Sequence, residues 1–402
     1  MGHQIKKSHK LDIGFQIEIY RKNGNVEIVK PLQNGSRDEN TIELTTVNSQ
    51  KEIIDYKIAP FRSYTNNFMA ILGYQFHGDF DLNFSTRDTG ANIITPTASS
   101  GFYFRTGIAD EGSYGILLGT GSTDVTLDDY GLLSPLPQGT GSNTLSYGLS
   151  TASLIHTPGT SYKVQVGREV TNNSGASLTI REEGIVTRTS PTGSSTQAFM
   201  VARDNYDKSG AAVTVNLSNG QSVEVRHNFY FNTSEGFTKP FAEWFYSHAN
   251  VVSFPATGST HDVDDALLSF NMTDPVLLIN AAAGDATYGI VVGSSNTALD
   301  ETNYALVAPI DHGANAGELN YGIMEFESPV VDNVSSTQTK ITISRLFTND
   351  YVSNITIREA GINCIGKTAQ RFNILRRLTS DILIAPSESF RIKFTYQISS
   401  AD

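Results

Sequence analysis

Along residues 389–398 the chain alternates cleanly, with Phe390, Ile392, Phe394, Tyr396 and Ile398 interleaved with Arg391, Lys393, Thr395 and Gln397. Successive side chains of a strand point to opposite faces, so this segment predicts a strand with one buried and one wet face. Residues 223–231 repeat the pattern after Ser218-Asn219-Gly220-Gln221, a connection of the kind that joins antiparallel neighbours. In residues 340–347 the alternation is partial, with Ile341, Ile343 and Leu346 set among polar neighbours. Residues 15–30 hold two alternating runs around Asn23-Gly24, which supplies the positive φ of a tight hairpin turn. Helical spacing shows at two places, each opening on Pro-Phe. Phe61, Tyr64, Phe68 and Leu72 would share one face after Pro60, as would Phe241, Trp244, Phe245, His248 and Val252 after Pro240.

These elements recur along the chain. Residues 287–310 parallel 113–136, with Tyr304 matching Tyr130 at an offset of 304 − 130 = 174. LSYG at 145–148 returns as LNYG at 319–322, and residues 163–185 return at 340–362, an offset of 340 − 163 = 177. Phe199 answers Phe372, and the paired runs from Val213 answer those from Ile382. A duplicated unit is one supersecondary block used twice. The expected fold is therefore mainly β: two tandem antiparallel β-sandwich repeats, each preceded by a short amphipathic helix, plus an N-terminal β-hairpin arm. The boundaries fall at 1–56 for the arm, 57–232 for the first helix and repeat, and 233–402 for the second. A lone hairpin is marginal in water, so the arm is expected to lean on a neighbouring domain or subunit, or to fold onto its own first sandwich.

Composition narrows the function classes. A chain of 402 residues, 39% hydrophobic, can bury a sizeable core. Its net charge of -12 argues against a surface that neutralises phosphates, so no nucleic-acid partner is expected. Cys364 stands alone, which excludes an internal disulfide, and no paired Cys/His spacing suggests zinc. No run of about eighteen apolar residues occurs, so no membrane-spanning helix is expected. The first fifteen residues lack an apolar block of signal-peptide length, which predicts synthesis without export.

Several motifs could carry chemistry. GINCIGKT, residues 361–368, fits the phosphate-cradling pattern G-x-x-x-x-G-K-[ST]. Its twin from Gly184 has no Gly-Lys-Thr, so Lys367 reads as a solvated turn residue. HDVDD at 261–265 and TLDDY at 126–130 cluster carboxylates that a hard cation could use. Neither has EF-hand spacing, and DETNY replaces both central acids of TLDDY, so both read as turns. Arg181-Glu182-Glu183 and Arg358-Glu359 read as a structural ion pair at a strand end, because catalytic carboxylates oppose one another across a cleft. The eight histidines are dispersed, without a G-x-S-x-G or H-E-x-x-H motif. The expectation is a protein that is not an enzyme, with no catalytic, cofactor-binding or metal-binding residue.

At YGIVVG, LNYG, FTN and TIREAGI the sequence resembles a repeat of virion structural proteins of tailed bacteriophages. The first copy stays close to that pattern through Thr171-Asn172-Asn173-Ser174-Gly175 and Arg203-Asp204; the second departs from it at Phe347-Thr348-Asn349-Asp350 and Arg376-Arg377. The resemblance spans both repeats and implies a non-enzymatic, multi-copy neck, collar or tail-ring protein. Its implied partners are copies of itself and portal, tail or capsid proteins, and its implied location is the virion, after synthesis in the bacterial cytoplasm. A capsid-decorating protein is an alternative. So is a fibre or adhesin module in which Tyr130, Tyr147, Tyr304 and Tyr321 stack on a host glycan, although their matched places read more simply as core aromatics.

Overall fold

The computed structural model describes residues 11–22, 25–29, 41–60, 64–77, 86–94, 107–158, 161–189, 197–206, 214–249, 262–266, 277–300, 303–331, 338–366 and 370–399. The chain is mainly β and opens with β1 (Leu11–Tyr20), β2 (Val26–Val29), β3 (Thr41–Val47) and β4 (Ile53–Pro60), then helix α1 (Asn66–His77). Next come β5 (Thr86–Arg87), β6 (Ile93–Ile94), β7 (Gly115–Gly119), β8 (Ser146–Thr157), β9 (Ser161–Thr171), β10 (Leu178–Ile180), β11 (Glu182–Thr189), β12 (Gln197–Asn205), β13 (Val215–Leu217) and β14 (Ser222–Asn232). Helix α2 (Lys239–Ala249) precedes β15 (Gly289–Gly293), β16 (Asn320–Val331), β17 (Gln338–Thr348), β18 (Ile355–Ile365), β19 (Arg371–Ile384) and β20 (Ser389–Ser399).

Apart from the two-stranded sheets β5-β6 and β10-β13, the strands form two matched sets of antiparallel sheets. One set holds the five-stranded sheet β4-β3-β14-β9-β8 and the three-stranded sheet β12-β11-β7; the other holds β16-β17-β20-β1-β2 and β15-β18-β19. Each five-stranded sheet takes three strands from the duplicated sequence and two from residues 11–60. β1 pairs along its length with β20, from Leu11 opposite Ile398 to Tyr20 opposite Ser389. β3 takes the matching place on β14, from Thr41 opposite Asn228 to Val47 opposite Ser222. The first hairpin thus extends a sheet of the second set within the same chain, and a strand pair that the sequence pattern left unnoticed extends the first. Asn23 and Gly24 lie outside the described residues.

The clean alternation of β20 is as read: Phe390, Ile392, Phe394, Tyr396 and Ile398 are buried. In β17 the inward residues after Ile341 and Ile343 are Arg345 and Phe347, while Leu346 faces outward and is only half-buried.

The helices depart further from expectation. Thr65 donates its hydroxyl to Met200 O at 2.7 Å just before α1, and Thr238 donates to Asn373 O at the start of α2. Beside them Tyr64 bridges to Ala202, and Phe237 to Leu375. The matched positions are thus 173 residues apart (238 − 65), not the 180 (240 − 60) of the two Pro-Phe pairs, and Pro60 ends β4 instead of opening a helix. The slip of seven residues is two helical turns, which leaves every residue on nearly the same face. Phe61 and Val252 lie outside the described residues, as does the side chain of His248. Nor is α1 amphipathic: each residue from Asn67 to Phe76 is buried, as in a helix enclosed on every side.

That enclosure has a clear source. α1 lies against β12 of its own set and β17 of the other, and α2 lies against β19 of its own set and β8 and β9 of the other. Phe76 meets Tyr396 at 5.1 Å, and Phe245 meets Phe229 at 5.2 Å, so each helix seals the five-stranded sheet opposite.

Candidate functional site

Two side-chain constellations occur in both sets. Arg168 in β9 and Arg345 in β17 sit on inward faces at 1% and 0% exposure, and neither forms an ion pair with a carboxylate among the described residues. Arg168 donates Nε to Gly148 O, Nη1 to the carbonyls of Tyr114 and Ile116, and Nη2 to those of Ile108 and Glu111. Arg345 does the same with Gly322, Tyr288, Ile290, Ala282 and Asp285. All five guanidinium N–H groups are used in each case, which is what burying such a charge demands. Each guanidinium also lies over a tyrosine ring, Arg168 over Tyr147 at 4.6 Å and Arg345 over Tyr321 at 4.8 Å. Burial pulls both arginines down to about 10 and pushes Tyr147 up to about 12. The Tyr-Gly pairs have a backbone reason as well, since Gly115 and Gly289 adopt φ of 87° and 81°, a region that favours glycine.

The second constellation centres on Glu182 and Glu359, both fully buried. Glu182 accepts from Gly121 N, Ser134 N and Leu133 N, and takes Arg203 Nε and Nη2 at 2.9 and 2.8 Å. Glu359 accepts from Val307 N and Ala308 N and takes Arg376 Nε at 2.7 Å. The arginine partners come from the neighbouring strand; Arg181 is exposed, and Arg358 pairs with Asp381. Arg203 also holds Asp129 at 2.8 Å, where Arg376 holds Asn303 at 2.7 Å. Glu183, whose counterpart is Ala360, adds a carboxylate found only in the first set. Tyr206 OH donates to it at 2.6 Å, and His227 Nε2 lies 3.2 Å away. All three side chains are buried.

The remaining sequence candidates are placed as follows. Gly361–Ile365 runs inside β18, antiparallel to β15 and β19, and Gly366 N closes on Gln370 O at 2.9 Å before the chain enters β19. A phosphate loop leaves a buried parallel strand and opens a helix, and neither occurs here among the described residues. Lys367 and Thr368 lie outside the described residues. Asp262 of HDVDD accepts from Asp264 N and Ala266 N, the geometry of a turn, and Asp264 pairs with Arg371. The four tyrosines divide: Tyr147 and Tyr321 are buried, with hydroxyls donated to Leu136 O and Ile310 O, while Tyr130 and Tyr304 stay half-exposed.

Tyr130 borders a cleft of about 130 Å³ lined by Asn66, Asn67, Arg87, Leu127, Asp128 and Asp129. The start of α1 is pinned to its rim by Asn66 N donating to Leu127 O at 2.7 Å, and Asn66 Nδ2 donates to Asp128 Oδ1 at 2.7 Å. The Arg87 guanidinium stands 5.8 Å from the Tyr130 ring. Arg87 and Asn66 were missed in the sequence, because the β5–β6 hairpin that brings Arg87 to α1 shows no long alternating run. No protein-family model matches the chain, and neither a curated protein nor a solved structure is similar to it.

Proposed function

We propose that this protein is a non-enzymatic structural component of a tailed-bacteriophage particle, present in many copies as a neck, collar or tail-ring protein. In this reading the two matched sheet sets are tandem β-sandwich repeats, and the protein assembles with copies of itself and with other virion proteins. The observation that carries the reading is at the sheet edges. β2 and β4 end the two five-stranded sheets, and their side chains Val26, Ile28, Ile53 and Ile54 are 54%, 57%, 69% and 49% exposed. An edge strand with open backbone groups and apolar side chains is a template for another chain. The residues behind the phage resemblance support the same reading, since Gly289, Tyr321 and Glu359 all serve the fold. Light scattering on the purified chain tests it. A closed oligomer that Ile28→Lys or Ile53→Lys dissociates, together with stoichiometric copies in purified particles, is the expected result. A strict monomer absent from particles sinks the proposal.

A further inference from the structure

The duplication gives the Tyr130 cleft an internal control. In the second set Tyr304 hydrogen-bonds to the side chain of Asp265, which raises the phenol above its usual range. Asp265 sits in a turn closed by Asp262, with φ of 65°. The matching turn in the first set is closed by Asp88, which accepts from Gly90 N and Asn92 N, and its matching position is Ala91 with φ of 68°. The offsets agree, 265 − 91 = 174 and 304 − 130 = 174. Alanine cannot reach the phenol, so among the described residues the Tyr130 hydroxyl has no protein partner.

The other walls diverge in the same way. Lys239 replaces Asn66, and Thr302 replaces Asp128, while Arg168, Glu182 and Arg203 are kept as Arg345, Glu359 and Arg376. The Arg87 guanidinium, unlike Arg168, Arg203, Arg345 and Arg376, makes no hydrogen bond among the described residues. What remains in the cleft is an acceptor in Asp128, a cluster of donors in Arg87, which lies over the Tyr130 ring, and a hydroxyl that does both.

We infer that this cleft binds a saccharide, one sugar ring deep. A pyranose offers hydroxyls that donate to Asp128 and accept from Arg87 and Asn66. The nearby carboxylates of Asp128 and Asp129 favour a neutral ring over an acidic one. This goes beyond the assembly role and does not depend on it.

The test is an array of neutral mono- and oligosaccharides probed with the labelled full-length chain, followed by titration of any glycan bound. Binding weakened about tenfold or more by Asp128→Asn and by Arg87→Gln is expected, as for loss of a charged hydrogen bond. Tyr130→Phe, which keeps the ring and the fold, should weaken binding in the same direction, and Tyr304→Phe should leave it unchanged. An array with no glycan bound, or affinity that survives Asp128→Asn combined with Arg87→Gln, overturns the inference. Light scattering on the same samples reports assembly separately, so a failed cleft and a failed structural role give different results.

Discussion

Arg168 and Arg345 each tie five backbone carbonyls together, so their loss removes five hydrogen bonds at once. Arg345→Leu should cost roughly 3–5 kcal/mol in urea unfolding, and Arg345→Lys less, because an ammonium still donates three bonds. Gly293→Ala should also destabilise, since a Cβ there would lie 2.5 Å from Glu359 Oε1 and 2.6 Å from Ala308 O. Tyr147 supplies a pH signature. Burial is the main cause that raises its folded pKa to about 12 from 10.0, so the folded state keeps a proton that the unfolded state has released. That stability is complete below about pH 10 and is lost as pH rises through about 12. Phenolate absorbance should show Tyr147 titrating late, together with alkaline unfolding; a titration at the ordinary tyrosine pKa in the folded protein would contradict the burial. The arginines were legible in principle. Val164, Val166, Arg168 and Val170 share one face, as do Ile341, Ile343, Arg345 and Phe347, so a charge stands on the apolar side at the same place in both copies. The Glu182–Arg203 partnership was not legible, because the two residues meet across strands.

At the scale of elements, the strands that alternate cleanly were readable, since water on one face writes period two into the sequence. The helices were readable only as helical spacing. A slip of two turns preserves the face, and α1 has no wet face to betray its setting between two sheets. Burial predicts about 2–5 kcal/mol for Ile71→Ala, which is fully enclosed. Gln75 presents the opposite case: it is 0% exposed, and its carboxamide has no hydrogen-bond partner among the described residues. Gln75→Leu removes a desolvated amide at similar volume, so unfolding experiments should show a gain of roughly 1–3 kcal/mol. A loss of stability would mean that the amide is satisfied in solution.

For the whole molecule, the pairing of β1 with β20 was beyond any local pattern, because nothing in a strand's alternation names a partner hundreds of residues away. It makes the second set depend on the first hairpin. Deleting residues 1–30 should therefore lower hydrogen-exchange protection in β17 and β20 while β9 and β14, which keep β3, hold theirs. Equal loss in both sets would show that the helices crossing between them couple the halves too strongly to separate. The same pairing fixes an order of events on the ribosome. Leu11 and its partner Ile398 are separated by 398 − 11 = 387 residues. At usual elongation rates the nascent hairpin waits roughly 20–80 s for its sheet, while strands up to β14 already suffice to complete the first five-stranded sheet. Translation thus releases a half-finished molecule whose front end is sticky, and crowding of polysomes on one message would bring such ends together before the last strand emerges.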